Sequence, residues 1–200
     1  MNNTEQTAQS KAQLRAQMRA KRREMPQQER EKRSRRIMEA VAQTEAYSRC
    51  ELLLVYIAAK AEVETAELIA RARSDGKQVA CPRCGPSEGE MHFYVVREPE
   101  DIEEGSYGIM EPVPSRCEPI DESDTQRALC IVPALACDED GYRVGYGKGY
   151  YDRFLARFGG RSAVVCYESN VVERVPRGEY DRAAEYIVTE EGAKAAKRRT

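Results

Sequence analysis

The spacing of apolar residues predicts a helical N-terminal segment. Over residues 10–46, apolar side chains such as Leu14 and Met18 recur at helical intervals among charged residues. Pro26 interrupts this pattern, so we expect two helices or a kink just before it. Ser10 is suited to be the N-cap of the first helix.

The next segment predicts a strand, a helix and a second strand. Residues 51–58 (ELLLVYIA) are a continuous apolar run of strand length, as in a strand covered on both faces. Residues 62–76 carry an apolar stripe at helical spacing and end at Gly76, which is a common helix terminator. Residues 77–82 predict a strand that stops at Pro82. This order is that of a βαβ unit, so the two strands should be parallel.

The remainder of the chain continues the alternation. Further strands are predicted at residues 91–96, 127–137, 162–168 and 184–190. A short helix is predicted over 149–158, because its apolar residues fall on one face. Residues 97–127 are rich in Pro, Gly and acidic residues and predict a loop.

These elements predict a single three-layer α/β/α domain with a mostly parallel central sheet and an N-terminal helical arm. We expect residues 1–9 to be disordered, residues 10–190 to form the domain, and residues 191–200 to be a frayed tail. In such sheets, ligands bind beyond the carboxyl ends of the strands.

Composition narrows the class of protein. The formal net charge is only −2, although residues 11–36 hold eleven Lys or Arg and three Glu. Seven scattered cysteines, several in apolar runs, indicate buried free thiols of a reducing compartment rather than a disulfide framework. No apolar run reaches the roughly 18 residues of a membrane span, and the polar N-terminus lacks the apolar stretch of a secretory signal. We therefore expect a cytoplasmic protein that binds neither a membrane nor nucleic acid.

The segment RVGYGKGYYDRFL, residues 143–155, carries the strongest chemical signal. Gly145, Gly147 and Gly149 leave the backbone free to take positive φ angles and to approach a ligand, and successive bare N–H groups can cradle an anion. The predicted helix that follows points its N-terminus at the same place, and Arg143 and Lys148 add positive charge. Such a loop suits a polyphosphate, although it has neither P-loop nor dinucleotide-fingerprint spacing. A glycine-rich turn without a ligand stays open on these residues alone.

Asp152 stands in the first turn of the predicted helix. There a carboxylate commonly complements the helix dipole, and it can equally be a Mg²⁺ ligand beside bound phosphates. The residues alone leave both roles open.

Residues 131–155, IVPALACDEDGYRVGYGKGYYDRFL, resemble the signature of the 5-formyltetrahydrofolate cyclo-ligase family, whose members are also called 5,10-methenyltetrahydrofolate synthetases. The matching positions are Val132, Pro133, Ala136, Asp138, Gly141, Arg143, Gly145, Gly147, Gly149, Tyr150, Tyr151 and Asp152. Other pieces follow in the family's order: SKAQLRAQMRAKR at residues 10–22, EVET at 62–65 and YGIMEP at 107–112. The resemblance covers about residues 11 to 190.

The sequence departs from the family pattern at three positions. Cys137 stands where the family usually has Phe, and Ala134 where it often has Gly. Both are interpreted as packing positions. Tyr180 replaces the usual His or Trp before Asp181, which weakens the assignment at that corner.

The resemblance implies an enzyme that converts 5-formyltetrahydrofolate to 5,10-methenyltetrahydrofolate while ATP becomes ADP and phosphate. The formyl oxygen takes the γ-phosphoryl group, and N10 then attacks the same carbon as phosphate leaves. The implied cofactors are ATP and Mg²⁺, and the implied substrate is a folate that can carry several glutamates. We expect a monomer.

The resemblance also implies roles for individual residues. It assigns ATP binding to Lys11, Arg15, Arg143, Val144, Gly145, Tyr146, Gly147, Lys148, Gly149, Tyr150 and Tyr151. It assigns folate binding to Ile57, Glu62, Tyr107, Tyr146, Gly147, Lys148, Gly149 and Tyr150. Lys148 and Arg143 are the expected catalytic residues, and Asp152 and Asp181 are the expected Mg²⁺ ligands. Without the resemblance, Lys11 and Arg15 would be interpreted as a solvated basic face, as we interpret the remaining arginines between residues 19 and 36.

Two alternatives remain on the sequence. One is a related ATP-binding protein whose folate pocket has diverged, and the other is a nucleic-acid-binding protein that uses the basic N-terminal arm. Cys81 and Cys84 form a single C-x-x-C, but a zinc ribbon needs a second such pair. Residues 85–91 would not continue the helix that a thioredoxin-type motif opens.

Overall fold

The computed structural model describes residues 3–59, 61–105, 108–121, 123 and 125–197. Its helices are α1 (Asn3–Glu24), α2 (Gln27–Ala42), α3 (Glu45–Arg49), α4 (Ala66–Ser74) and α5 (Tyr150–Leu155). Its strands are β1 (Leu52–Val55), β2 (Gln78–Cys84), β3 (Met91–Val95), β4 (Ile102–Glu104), β5 (Met110–Pro112), β6 (Ala128–Pro133), β7 (Ala136–Cys137), β8 (Arg143–Val144), β9 (Arg161–Val165), β10 (Tyr186–Thr189) and β11 (Gly192–Ala195).

Seven strands form the central sheet in the order β11-β10-β9-β6-β1-β2-β3. The five inner strands, β10, β9, β6, β1 and β2, run parallel to one another. The edge strands β11 and β3 pair antiparallel with β10 and β2. This confirms the mostly parallel sheet and the parallel βαβ unit. Because the parallel strands all end at one edge, the loops that follow β1, β6 and β9 meet there.

Alternate residues of β1 supply two different cores. Leu53 packs with Ile37 of α2 and Leu68 of α4 on one face of the sheet. Leu54 packs with Phe154 of α5 on the other face. All five side chains are essentially inaccessible to solvent. Helices therefore cover both faces, which confirms the three-layer architecture and explains why β1 is apolar at successive positions.

The helical arm breaks where proline predicts it. Helix α1 ends at Glu24, and α2 begins directly after Pro26, whose ring cannot continue the preceding helix. The start of the arm differs from expectation, because α1 begins at Asn3 and Ser10 lies inside the helix. The Ser10 hydroxyl donates to the Gln6 carbonyl instead of capping. Neither glycine nor proline occurs between residues 3 and 24, so the helix continues through the segment that was expected to be disordered.

Two strands differ from the predicted boundaries. β2 runs through Pro82 to Cys84, because its pairing with β1 ends at Ala80 and only β3 accompanies it further. A sheet tolerates proline where a strand has one free side. The expected frayed tail instead contains β11, which pairs with β10. Its small and polar residues give no strand pattern, and Lys194 suits an exposed edge.

The region of residues 97–127 contains more structure than the predicted loop. Strands β4 and β5 form an antiparallel pair, with Glu103 opposite Glu111. Further along the chain, β7 and β8 form another short ribbon that is separate from the central sheet. All four strands are only a few residues long, so they offer too few positions for an alternating apolar pattern to show in the sequence.

All seven cysteines are free thiols. Cys137 Sγ and Cys166 Sγ lie 2.8 Å apart and are buried, so Cys137 does occupy a packing position in the core. None of the helices formed by the described residues is both long enough and apolar enough to cross a bilayer.

The turn between β7 and β8 generates a stability prediction. Gly141 has a φ of +84°, and a Cβ there would lie 2.2 Å from the Ala184 carbonyl oxygen. We expect Gly141→Ala to lower the free energy of unfolding by at least about 2 kcal/mol, because left-handed strain and a backbone clash add. Gly76→Ala is the matched control, since Gly76 has a φ of +74° and open space around it. Urea unfolding of both variants measures the difference, and equal losses would contradict the proposed clash.

Candidate active site

A cleft of about 600 Å³ opens at the carboxyl edge of the parallel strands. Its floor includes Ile57 after β1 and Pro133 at the end of β6. Residues 145–149, which we call the glycine loop, form one wall, and the N-terminal part of α1 lies beside that loop. The cleft is therefore where the strand order and the glycine-rich segment together place a ligand.

The glycine loop uses its three glycines differently. Gly147 and Gly149 have φ angles of +101° and +71°, which favour glycine. Gly149 directly precedes α5. A side chain on Gly147 would come within 3.2 Å of the Arg15 guanidinium carbon. Gly145 does not adopt a left-handed φ, which corrects the expectation for that residue, and a Cβ there would meet no described atom within 4 Å.

Helix α1 turns two predicted nucleotide-binding cations towards the cleft. Arg15 Nε donates to the Gly145 carbonyl at 3.0 Å, and Lys11 Nζ pairs with the Asp181 carboxylate. Burial and the nearby Arg19 lower the pKa of Arg15, while the Asp181 charge opposes them. Lys11 and Arg15 are four residues apart, so one face of the helix presents both to the same wall.

Arg22 corrects our interpretation of a solvated basic surface, whereas Arg19 stays exposed and contacts the glycine loop through an aromatic ring. The Arg19 guanidinium carbon lies 5.4 Å from the centre of the Tyr146 ring. Arg22 is buried, donates to the Ala134 carbonyl and lies over the Tyr167 ring at 5.8 Å. Its Nε has no hydrogen-bond acceptor among the described residues. Lys11, Arg15, Arg19 and Arg22 follow one another at intervals of three or four residues, which could have indicated in the sequence that they share one helix face. The neighbouring arginines of the arm are spaced in a similar way, so the sequence did not single out these four.

A buried ion pair brings the two predicted metal ligands to adjoining segments. Arg143 Nη2 donates to Asp152 Oδ1 at 3.1 Å, and Arg143 Nη1 donates to the Arg182 carbonyl at 2.7 Å. The Arg182 N–H also donates to Asp152 Oδ1, at 3.1 Å. Asp152 therefore binds the backbone directly after Asp181, and both carboxylates line the cleft. The described residues contain no cluster of three or more His, Cys, Asp and Glu that could hold a metal ion by themselves.

Lys148 lies on the rim of the cleft. Its ammonium group is half-exposed and lies 3.1 Å from Glu88 Oε1. Arg153 Nη1 donates to the Lys148 carbonyl at 2.8 Å and so steadies the loop from α5. The lysine is tethered by its backbone, and its long side chain can reorient.

Glu62 lies in the cleft beside Tyr146 of the glycine loop. Its carboxylate is buried and accepts the Ala59 N–H at 3.0 Å. Within the described part of the chain, it has no ion pair with Lys or Arg. Burial raises the pKa of Glu62, although the Ala59 N–H, the Tyr146 hydroxyl and the Arg22 charge oppose the rise. Burial and the Glu62 charge raise the pKa of Tyr146 to about 12.

The remaining predicted aromatic residues have different surroundings. Tyr150 and Tyr151 are half-buried, line the cleft and also pack against the core beneath α5. The Tyr151 hydroxyl is buried and finds no hydrogen-bond partner among the described atoms. Tyr107 lies outside the described residues.

The structure adds an apolar wall that we did not predict from the sequence. It is built by Pro82 and Cys84 of β2, Met91 of β3, and Ile109 and Met110 at β5, and the Glu111 carboxylate lies beside it. Further residues that line the cleft are Tyr56, Ala59, Arg153 and Tyr180. The YGIMEP segment (residues 107–112) resembles a family motif and so pointed to this part of the chain, but the motif does not indicate which of its side chains face a ligand.

The C-x-x-C pair lies on a strand rather than at the start of a helix. Cys81 is buried in the core on the face of the sheet that α4 covers, whereas Cys84 lines the cleft. Residues three apart on a strand point to opposite faces, so the two thiols do not converge.

Comparison with known proteins adds independent findings. The model of the 5-formyltetrahydrofolate cyclo-ligase family matches residues 7–190. The "Probable 5-formyltetrahydrofolate cyclo-ligase" of Schizosaccharomyces pombe is 33% identical over 123 residues, which are 61% of this chain and 60% of that protein. The 5-formyltetrahydrofolate cyclo-ligase of Saccharomyces cerevisiae is 30% identical over 158 residues, covering 67% of this chain and 72% of that protein. The NMR structure of Aquifex aeolicus 5,10-methenyltetrahydrofolate synthetase is similar with a TM-score of 0.80 and 29% identity, covering 95% of this chain and 94% of that one.

The raised pKa of Glu62 predicts a pH-dependent change in stability. Above its ordinary pKa of 4.5, the unfolded carboxyl group ionises more readily than the folded one, so this residue lowers stability as the pH rises. We expect Glu62→Gln to have a higher free energy of unfolding than the wild type at pH 8, with the difference vanishing towards pH 4. Glutamine can still accept the Ala59 N–H.

Glu139→Gln is the control, because Lys197 lowers the pKa of the exposed Glu139 and its neutralisation should give no stabilisation at pH 8. Urea unfolding from pH 4 to pH 8 measures both variants. A Glu62→Gln curve parallel to that of the wild type would contradict the assignment.

Proposed function

The chain belongs to the 5-formyltetrahydrofolate cyclo-ligase family, and from this premise we propose that it converts 5-formyltetrahydrofolate to 5,10-methenyltetrahydrofolate while ATP becomes ADP and phosphate. One observation carries the proposal. The cleft has a glycine loop lined by cations at one end and an apolar wall at the other. The first end suits the polyphosphate of ATP, and the second suits the flat heterocycle of the folate with which the polyphosphate reacts. The cleft volume of about 600 Å³ is typical of small-molecule sites.

The nucleotide end is the glycine loop with α1. Backbone N–H groups in this loop and the first turn of α5 can face phosphate oxygens, as bare loops before helices commonly do. Lys11 and Arg15 lie beside the loop and supply positive charge. Lys11 is paired with Asp181 in this structure, so nucleotide binding requires an exchange of partners in which Lys11 turns to a phosphate oxygen.

Asp152 and Asp181 fit a Mg²⁺ ion that accompanies the nucleotide. Both offer carboxylate oxygens, the ligands that Mg²⁺ prefers, and their adjoining segments are joined by the Arg182 N–H. Two carboxylates suffice, because Mg²⁺ usually takes its other ligands from phosphates and water. The ion would offset the negative charge of the phosphates, and Arg143 would keep Asp152 oriented towards it.

The folate end is the opposite part of the cleft. Met91, Ile109 and Ile57 give apolar surface for a pterin, and Tyr150 and Tyr146 offer aromatic faces at the glycine loop. Glu62 lies where this wall approaches the loop. A folate in this position would present its N5-formyl oxygen to the terminal phosphate.

The reaction needs charge stabilisation more than covalent participation by the protein. The formyl carbon is a poor electrophile because it belongs to an amide-like group, and phosphorylation of its oxygen creates a leaving group. Preorganised positive groups lower the barrier to such a transfer. Lys148 can bring its ammonium group from the rim to the transferring phosphoryl group, since its backbone is held by Arg153.

The two alternative functions fit this cleft less well. A diverged pocket would lack a polar group near the loop on the folate side, and Glu62 occupies that position. On the basic arm, Lys11, Arg15 and Arg22 face inwards and favour a role in the cleft. By contrast, Arg23, Lys32 and Arg35 are exposed, so the activity assay below decides between this function and a nucleic-acid-binding arm. A cytoplasmic monomer that accepts polyglutamylated folate, with residues 10–190 as one functional domain, remains our prediction.

The activity is tested by mixing the chain with 5-formyltetrahydrofolate, ATP and Mg²⁺ and following the near-ultraviolet band of the conjugated methenyl product. We expect the band to grow, with ADP released in equal amount, and to stay flat when ATP is omitted or Mg²⁺ is chelated. A flat trace from folded protein in the complete mixture would contradict the proposed function. Growth of the band without ATP would contradict the phosphoryl-transfer route.

The role of Lys148 is tested by Lys148→Ala. We expect turnover to fall by about 10²–10³, since one preorganised charge-stabilising group is lost, while the unfolding transition stays that of the wild type. Lys194→Ala is the matched control, because Lys194 is exposed on β11. Rates within a factor of two for the two variants would refute the role of Lys148.

A further inference from the structure

The proposed ring closure requires a proton acceptor. N10 carries one hydrogen in 5-formyltetrahydrofolate and none in the methenyl product. As the N10 lone pair forms the new bond to the activated formyl carbon, the carbon–oxygen bond breaks and phosphate departs with that oxygen. The N10–H bonding electrons stay on nitrogen, and the proton must pass to a base.

The cleft offers four carboxylates among its described residues, namely Glu62, Glu111, Asp152 and Asp181. Asp152 is paired with the buried Arg143, and Asp181 is paired with Lys11. Both carboxylates are therefore already engaged by protein cations, and in the proposed site they would also hold Mg²⁺, so their oxygens are not free to accept a proton from the substrate. Glu62 and Glu111 remain, because neither forms an ion pair in the described part of the chain.

The position of the glycine loop separates the two remaining candidates. The formyl oxygen must reach a phosphate held by that loop, and N10 attacks the carbon that bears this oxygen. The base must therefore lie within a few bond lengths of the loop. Glu62 lies beside Tyr146 of the loop itself, close enough for the two groups to interact electrostatically. Glu111 lies on β5, where it accepts the Cys84 N–H at 3.3 Å.

From this placement, and resting on the proposed function, we infer that Glu62 is the catalytic base that accepts the N10 proton during ring closure. The Ala59 N–H donates to this carboxylate and fixes its orientation, and the Tyr146 hydroxyl lies nearby. A carboxylate accepts about four hydrogen bonds, so a lone pair remains for the substrate N–H. The positive charge of the buried Arg22 moderates the cost of the Glu62 charge.

Burial of Glu62 supports the same role. Desolvation raises the pKa of this carboxyl group and so makes its anion a stronger base than an exposed carboxylate. The neighbouring hydroxyls of Tyr56, Tyr146 and Tyr151 all have raised pKa values, so they stay protonated and do not compete for the proton.

The test separates phosphoryl transfer from ring closure in Glu62→Gln. ADP is measured by rapid quench and the methenyl band by stopped-flow absorbance, in a single turnover with excess enzyme and Mg-ATP. In the wild type the two should form together. In Glu62→Gln we expect ADP to form at nearly the wild-type rate while methenyl formation lags by about 10²–10⁴, the range for loss of a general base.

Glu139→Gln is the matched control, because it neutralises an exposed carboxylate outside the cleft, and its ADP and methenyl courses should remain superimposed. A methenyl lag in Glu111→Gln instead of Glu62→Gln would assign the base to Glu111 and overturn the inference. Added formate or acetate should accelerate the slow phase of Glu62→Ala, since a small carboxylate can enter the space left by the side chain. This acceleration should be absent in Glu62→Gln, where the amide fills that space.

Three further results would overturn the inference. Equal slowing of ADP and methenyl formation in Glu62→Gln would mean that the carboxylate acts in binding. Unchanged methenyl formation would mean that the proton leaves by another route. A wild-type chain that forms no methenyl product with ATP would remove the proposed function and this inference with it, whereas in the first two cases the wild type stays active.

Discussion

The buried pair of Arg143 and Asp152 is the interaction on which the candidate site depends. It joins the β7–β8 ribbon to α5 across the glycine loop, and through Arg182 it joins both to the segment that carries Asp181. Arg143 is almost fully buried, so its charge requires a partner, and the partly exposed Asp152 supplies it. The loop between the two residues is thereby held at both ends.

A second constraint is the balance of charge around the glycine loop. Helix α1 lies along one side and turns its cations inwards, where Lys11 meets Asp181 and Arg15 meets the Gly145 carbonyl. Both carboxylates suited to a metal ion are paired with protein cations in this structure. A nucleotide that brings its own cation would exchange the Lys11–Asp181 pair for two new ones, Lys11 with a phosphate and Asp181 with the cation, while Arg143 stays paired with Asp152. The helical arm is in this sense part of the site.

The burial of the Glu62 carboxylate lowers the stability of the domain, and folded domains avoid such burial unless function requires it. A buried carboxylate without an ionic partner is destabilising, and the hydrogen bond that Glu62 receives from the Ala59 N–H only reduces the penalty. The Tyr151 hydroxyl, which has no hydrogen-bond partner among the described residues, is a related case on the same cleft. Polar groups left under-satisfied at one concave surface are typical of sites that are completed by a ligand.

The sequence alone determined the features that depend on neighbouring residues. The apolar run of β1, the break at Pro26 and the glycine loop before α5 each follow from local patterns, and together they predict a parallel sheet with a ligand site at its carboxyl edge. Only the tertiary structure decided which side chains meet. Arg22 looks like its exposed neighbours in sequence yet is buried, and Cys84 reaches the cleft because β2 continues past Pro82. The physical reason is that burial and pairing arise between segments far apart in the chain, such as Glu62 and Tyr146, and a local pattern carries no information about such partners.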